Sequence, residues 1–303
     1  MKLLTFDVGG TETKYAIIED AIRISEQGYT LTPQESFADF SGLIKEIYDR
    51  FKDHVEGIAM TLPGPVDIIE GSVEKCACMR YPHDHRVAPI LSEICGCKVI
   101  IENDGKAAAL SEYKYGSIKN CQNAAVFVVG TAVGGGLIIN GDIVRGPRFM
   151  AGEFSFVNTE AEHYEEEYQI IGASCSTTFL LNRYKELCHS YENIDGRELF
   201  RRLPEDGCAQ QALDELSRNI AIQIYNLYWL LDLEKVAIGG GISRQPILTE
   251  KIREKFKEVE KNAMSGRFGS ILPIEIVPCR FANDANLIGS YITYVDHYDS
   301  VRY

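Results

Sequence analysis

The chain has 303 residues, 45% of them apolar and 25% charged, and a net charge of −13. That length holds one large domain or two medium ones with ample core, and the composition is that of an ordinary globular protein. No Lys/Arg-rich run supplies the basic footprint that a nucleic-acid binder needs.

In chain order, apolar runs predict strands at 2–7, 13–19, 56–61, 98–102, 124–129, 136–140, 235–239 and 274–277. Helical spacing predicts helices at 36–52, 105–115, 176–190, 209–231, 246–260 and 284–295. In the first helix Phe40, Leu43, Ile44, Ile47, Tyr48 and Phe51 share one face. Strands alternating with helices argue for an α/β fold. The residues at 114–123 and 191–196 read as loops. After Lys2 only Leu3 to Phe6 are apolar before Asp7, too short for a signal peptide. The longest apolar stretch, Ala124 to Ile139, is broken by glycines and too short to span a bilayer. The expectation is a cytoplasmic enzyme or binding protein with no membrane partner. Nine cysteines, an odd number, are expected to be reduced thiols. The pairs Cys76/Cys78 and Cys95/Cys97 have Cys-x-Cys spacing, a weaker zinc signal than Cys-x-x-Cys.

Glycine clusters carry the functional signal. DVGGTETK (Asp7 to Lys14) joins two apolar strands. Glycines at Gly9 and Gly10 allow positive φ and close backbone approach, and Asp7 sends a carboxylate into the same space. This is either a hairpin turn with a solvated Asp or a phosphate cradle with a carboxylate for Mg²⁺. The event recurs in AAVFVVGTAVGGGLIIN from Ala124, with Gly130, Gly134, Gly135 and Gly136 expected in the turn beside Thr131. A third cluster, VAIGGGIS at Val236 to Ser243, follows another strand. Three such clusters favour a duplicated lobe that grips a nucleotide. Asp104 follows the strand KVIIEN. It is placed either as a general base at the sheet's carboxyl edge or, with Asn103, as the N-cap of the next helix.

DVGGTETK, LPGPVD (Leu62 to Asp67), ENDGKAAALSE (Glu102 to Glu112), GTAVGGGLIINGDIVRG (Gly130 to Gly146), AGEF (Ala151 to Phe154) and IGGGIS together resemble the ROK group. These are repressors and sugar kinases of the actin/Hsp70/hexokinase-like superfamily. The resemblance covers nearly the whole chain. It implies two ribonuclease-H-like lobes, each a mixed five-stranded sheet flanked by helices, with nucleotide and sugar in the cleft between them. The expected boundaries are 1–115, joined by the C-terminal helix at about 284–303, and 116–283. The implied activity is ATP- and Mg²⁺-dependent phosphorylation of a hexose or β-hexoside at a primary hydroxyl, and the family often forms homodimers. Glucokinase, N-acetylmannosamine kinase, a sugar-responsive repressor and a non-catalytic sugar sensor are the alternatives. The family's repressors carry an N-terminal helix-turn-helix, whereas this sequence reads directly into a first strand and is acidic throughout, so a kinase is expected rather than a repressor.

Carried over residue by residue, the resemblance makes Asp104 the base and Asn103 a sugar ligand. It places Glu153, Pro63 and Gly64 against the sugar, and Asp7 near the metal, through water, and the γ-phosphate. Gly9, Gly10, Thr11 and Lys14 form the first phosphate turn, Thr131 and Gly134 the second, and Gly240 and Gly241 the adenosine-side turn. The sequence departs from the family pattern at three places. Ala132 replaces a glycine of Gly-Thr-Gly, which would weaken ATP binding if that position required positive φ. The zinc motif is missing, so no zinc is expected and the chain resembles the zinc-less subset that includes β-glucoside kinases. Phe156 stands where the family has a zinc-bound histidine, facing either the sugar or the core. A second sugar-binding glutamate has candidates in Glu165, Glu166 and Glu167, which also read as a solvated face.

Overall fold

A computed structural model describes residues 1–299, apart from 75, 77–78, 80–84, 161, 163–168, 190–191 and 264–271. Two compact units emerge. Unit 1 comprises Met1–Ser111, Arg145–Ala151 and Asp284–Tyr303; unit 2 comprises Glu112–Val144 and Gly152–Asn283.

Unit 1 is built on β1 (Lys2–Val8), β2 (Glu12–Glu19), β3 (Arg23–Leu31), β4 (Gly57–Leu62) and β7 (Lys98–Asn103), in the sheet order β3-β2-β1-β4-β7. A short hairpin of β5 (Val66–Asp67) and β6 (Ser72–Val73) follows β4. β1 pairs antiparallel with β2 and parallel with β4, which in turn pairs parallel with β7. The helices are α1 (Phe37–Phe51), α2 (Val87–Cys95), α3 (Asp104–Tyr115), whose last turn enters unit 2, and α9 (Ala285–Asp299). Ser36 caps α1 by accepting from the Asp39 amide, and the expected face packs inward: Phe40, Ile44, Ile47 and Tyr48 are buried against Phe6, Ile58 and Met60. α9 packs on this sheet, and it passes α3 so closely that a Cβ on Gly289 would stand 1.9 Å from the Ala107 carbonyl oxygen. Glycine is required there by backbone approach alone.

Unit 2 repeats the plan with β8 (Ala124–Val129), β9 (Val133–Ile139), β10 (Asp142–Ile143), β11 (Lys235–Gly239) and β12 (Glu275–Pro278), in the order β10-β9-β8-β11-β12. Again the first two strands form an antiparallel hairpin, and the later strands join parallel. Its helices are α4 (Ile171–Ser174), α5 (Thr177–Leu187), α6 (Gly196–Arg202), α7 (Gly207–Leu231) and α8 (Pro246–Asn262). The 25-residue α7 starts at an Asp206 cap and buries Leu213, Leu216, Ile220 and Ile224 against the core.

β3, α2 and α6 were not expected. β3 is an edge strand that alternates between exposed and half-buried positions, so it carries no apolar signal. α2 contains Pro89 within a nine-residue helix. α6 is only seven residues long, with two buried apolar side chains.

Candidate active site

In unit 1 the candidate residues collect at the carboxyl ends of β1, β4 and β7. The parallel register sets Asp7 beside Thr61 and Thr61 beside Glu102, so these three side chains form one row across the sheet. Asp7 Oδ1 accepts from Thr61 Oγ1 at 3.0 Å and from Asn286 Nδ2 at 2.9 Å. Asn286 comes from α9, so the last helix helps to hold an aspartate of the first strand. An oxygen donor of this kind suits a hard cation such as Mg²⁺, which commonly keeps several waters and is held by one or two carboxylates plus substrate phosphates.

The turn after β1 differs from expectation. Neither Gly9 nor Gly10 adopts positive φ. What Gly9 supplies is space, since a Cβ there would lie 3.0 Å from the Glu12 carbonyl oxygen, to which the Gly9 amide donates at 3.0 Å. Gly10 opens on free space, with no atom within 4 Å of its would-be Cβ. The turn is held from behind: Thr32 Oγ1 donates to the Gly9 carbonyl at 2.8 Å, and Gln34 Nε2 to the Gly10 carbonyl at 3.0 Å. Their carbonyls thus occupied, both glycines stay in a set orientation. Thr11 is exposed, and Lys14, opposite Asp7 on β2, is half-buried.

Asn103 and Asp104 straddle the junction of β7 and α3. Asn103 is buried, and its side chain is engaged at both ends. Oδ1 accepts from the Lys106 amide at 2.9 Å, the N-cap bond, and Nδ2 donates to the Gly64 carbonyl at 3.0 Å. One amide hydrogen is left for a ligand. Gly64 has φ 106°, which favours glycine. The Pro63–Gly64 loop is therefore tied directly to the strand end that carries Asp104. Asp104 begins α3, half-buried, with Oδ1 accepting from the Gly105 amide at 2.8 Å. A carboxylate in a helix's first turn is stabilised by the helix dipole.

Behind them sits a group that sequence reasoning quoted but gave no role. Glu102 is fully buried. Its Oε2 accepts from Arg145 Nη2 at 2.6 Å and Nε at 3.0 Å, and its Oε1 from the Asn103 amide at 2.9 Å. A glutamate in the otherwise apolar VIIE run was a visible sign of a buried partner. Which residue that partner was could not be seen.

Unit 2 carries the other candidates. Gly130–Ala132 forms the turn between β8 and β9, with the Gly130 amide donating to the Ala132 carbonyl at 2.9 Å. Gly134, Gly135 and Gly136 lie in β9 and not in the turn. The reason is packing: a Cβ on Gly135 would sit 2.4 Å from the Phe154 ring, and the backbone at Gly152 passes 3.4 Å from Gly136 as counted from a Cβ. Ala132 does not have positive φ, so it carries none of the strain expected of it. Here too the turn is latched from behind: the Thr177 amide donates to the Gly130 carbonyl at 2.8 Å, and Thr178 Oγ1 to the Thr131 carbonyl at 2.7 Å.

Gly152 has φ 80° and turns the chain into Glu153, which is half-buried. Phe154 stacks on Phe127 at 4.6 Å between ring centres, and this anchors the segment. Ser155 Oγ donates to the Val133 carbonyl at 2.7 Å, joining the same segment to the strand that follows the Gly130–Ala132 turn. Phe156 does not turn into the core; it is 70% exposed. Gly240 has φ 93°, and a Cβ there would lie 2.2 Å from the Val129 carbonyl oxygen, so no other residue fits. Gly241 faces open space. Glu165, Glu166 and Glu167 lie outside the described residues.

Cys78 also lies outside the described residues, and Cys76 is buried. Burial pushes the Cys95 thiol up to about 11 and raises that of Cys97, so both are neutral at ordinary pH. Among the described residues no group of three or more His, Cys, Asp or Glu is placed to hold a metal ion. A Mg²⁺ that reaches its site with a nucleotide needs no such cage.

Known proteins match this arrangement over nearly its full extent. The chain is 29% identical over 258 residues to a β-glucoside kinase of Listeria monocytogenes, covering 84% of this chain and 87% of that one. It is 26% identical over 297 residues to a β-glucoside kinase of Klebsiella pneumoniae, covering 96% and 95%. The crystal structure of a ROK family protein from Streptococcus pneumoniae TIGR4 in complex with sucrose superposes with a TM-score of 0.86. The two chains are 26% identical, and the match covers 99% of this chain and 100% of that one. The ROK family model matches residues 3–296, and the chain belongs to the ROK family.

Proposed function

We propose that this protein is an ATP- and Mg²⁺-dependent sugar kinase that phosphorylates a β-glucoside at a primary hydroxyl. The observation that carries the reading is the end of β7. There a half-buried Asp104 carboxylate stands at a helix N-terminus beside Asn103, whose amide is fixed by the Gly64 loop. Phosphoryl transfer to an alcohol needs little more from the protein than a base for the hydroxyl proton and groups that orient the phosphates.

Asp104 takes the proton from the sugar hydroxyl as its oxygen attacks the γ-phosphorus. The bond from the γ-phosphorus to the bridging oxygen breaks, and ADP leaves. Asn103, Glu153 and the Pro63–Gly64 loop orient the sugar. With the Gly9 and Gly130 amides engaged inside their own turns, the amides of Gly10, Thr11, Thr131 and Ala132 are the ones turned to phosphate, and Gly240 and Gly241 line the adenosine side. Asp7 would hold Mg²⁺ through water, and Mg²⁺ when bound neutralises phosphate charge.

The β-glucoside preference rests on Phe156. An exposed aromatic face offers a stacking surface to a sugar ring or aglycone and asks for no hydrogen bond from a free anomeric hydroxyl. The relatives named β-glucoside kinases support the same reading. Of the two departures that favour a non-catalytic sensor, Ala132 and Phe156, Ala132 has no positive φ and is unstrained. The test is ADP release with glucose, N-acetylmannosamine, cellobiose and an aryl β-glucoside. The C1-substituted sugars should give kcat/KM at least equal to that of glucose. Preference for free monosaccharides would remove the β-glucoside assignment, and no turnover on any sugar would remove the kinase.

A further inference from the structure

Glu102 and Arg145 are 43 positions apart and meet where β7 ends. Along β7, Val99, Ile100 and Ile101 are apolar and buried; after the exposed Lys98 at its start, the strand carries no charge until the buried Glu102, two positions before Asp104. Glu102 is fully buried and Arg145 half-buried, and such a pair is a poor way to gain stability, because desolvating the carboxylate offsets much of the attraction, and apolar side chains would serve as well. The bonding pattern suggests a different use. Both Arg145 donors converge on Oε2, where Thr293 Oγ1 of α9 also approaches at 3.4 Å. The other oxygen, Oε1, receives the backbone amide of Asn103. Asn103 in turn carries the α3 cap and the Gly64 bond. The charge pair thus ends in a peptide that sets the direction of two neighbouring side chains, Asn103 and Asp104.

We propose that Glu102 and Arg145 form a positioning pair for Asn103 and Asp104, an inference that rests on the kinase reading for its catalytic consequence. The guanidinium fixes the carboxylate, the carboxylate fixes the Asn103 amide, and the strand end is held where Asp104 can meet a hydroxyl. Neither residue touches substrate. A strand end free to move by about 1 Å would misplace the base, and displacements of that size cost on the order of 100-fold in rate.

The test uses Arg145→Met, the conservative Arg145→Lys, and the double variant Glu102→Gln/Arg145→Met. The double variant leaves no lone buried charge and keeps the protein measurable if the single change unfolds it. Two readouts are taken: steady-state kinetics, and hydrogen–deuterium exchange of the segment 103–106 compared with β1 and β4. In Arg145→Met and the double variant, kcat should fall by about 10- to 100-fold while KM for ATP stays within about threefold. Arg145→Lys should recover kcat to within about fivefold of the parent, because it restores the charge but not the two-donor geometry. Exchange at 103–106 should quicken by about tenfold or more, with β1 and β4 unchanged. Unchanged kcat, or protection lost evenly over β1, β4 and β7, would mark a merely stabilising pair and overturn the proposal. If the parent protein phosphorylates no sugar, the kinase reading falls on its own, and the exchange comparison still decides whether the pair pins the strand end.

Discussion

Gly135→Ala isolates the role of glycine inside β9. The residue has no positive φ, so the substitution introduces no backbone strain of its own. A Cβ there would lie 2.4 Å from Cδ2 and Cε2 of Phe154 and 2.4 Å from the Val126 carbonyl oxygen. The ring is 3% exposed and already stacked on Phe127, so it has little room to retreat, and a strand carbonyl moves only with its ladder. Overpacking of this kind costs about 1–3 kcal/mol, and a backbone atom in the clash puts this site at the upper end. The reduced freedom of the unfolded chain returns about 0.4–1 kcal/mol. The net loss is about 1.5–2.5 kcal/mol, or a fall of about 3–10 °C in the melting temperature of a unit this size. Thermal unfolding followed by circular dichroism measures it. Phe154→Leu, added to the alanine variant, should recover part of the loss by removing ring atoms from the clash. Because Phe154 adjoins Glu153, KM for the sugar should rise in Gly135→Ala while KM for ATP changes less. A melting temperature equal to or above that of the parent would refute the packing argument.

Other outcomes follow from the same geometry. Asp104→Asn should lower kcat by at least about 100-fold, the lower range for loss of a general base, with sugar still bound in calorimetry; near-normal turnover would reject Asp104 as the base. Gly10→Ala should leave the melting temperature unchanged or raise it by a few degrees, because its Cβ meets nothing within 4 Å and the unfolded chain loses freedom, yet raise KM for ATP if phosphate lies against that turn; an unchanged KM would remove the turn from the site. Elemental analysis of the purified protein should find no stoichiometric zinc; one tightly bound zinc per chain would revive the Cys76/Cys78 and Cys95/Cys97 pairs. Burial pushes the Cys175 thiol up to about 12, so it should react with a thiol reagent near neutral pH only on unfolding, whereas rapid labelling of the native protein would place it nearer the surface.

The sequence by itself determined the repeated strand–turn–strand unit, the α/β class and most of the long helices. These are local patterns: apolar period, glycine after a strand, and a cap such as Ser36 can be read without knowing what lies across the fold. It also marked the junction of β7 and α3 as both cap and candidate base, and the cap bond is present in the structure. Local reasoning failed where a residue's purpose lies in a distant neighbour. A local misreading occurred too: Gly9 and Gly10 looked like positive-φ positions, whereas Gly9 makes room for the Glu12 carbonyl of its own turn. Gly134 to Gly136 looked like a turn, and Gly135 instead makes room for Phe154. β3, half-buried or exposed along its length, gives no apolar period to read. Only the tertiary structure brought Asn286 to Asp7 and Arg145 to Glu102, separations of 279 and 43 residues. Sheet register decides that Asp7, Thr61 and Glu102 share a row, and helix packing decides which donors reach it. Both depend on how the chain closes on itself, and no stretch of sequence short enough to have a period encodes that.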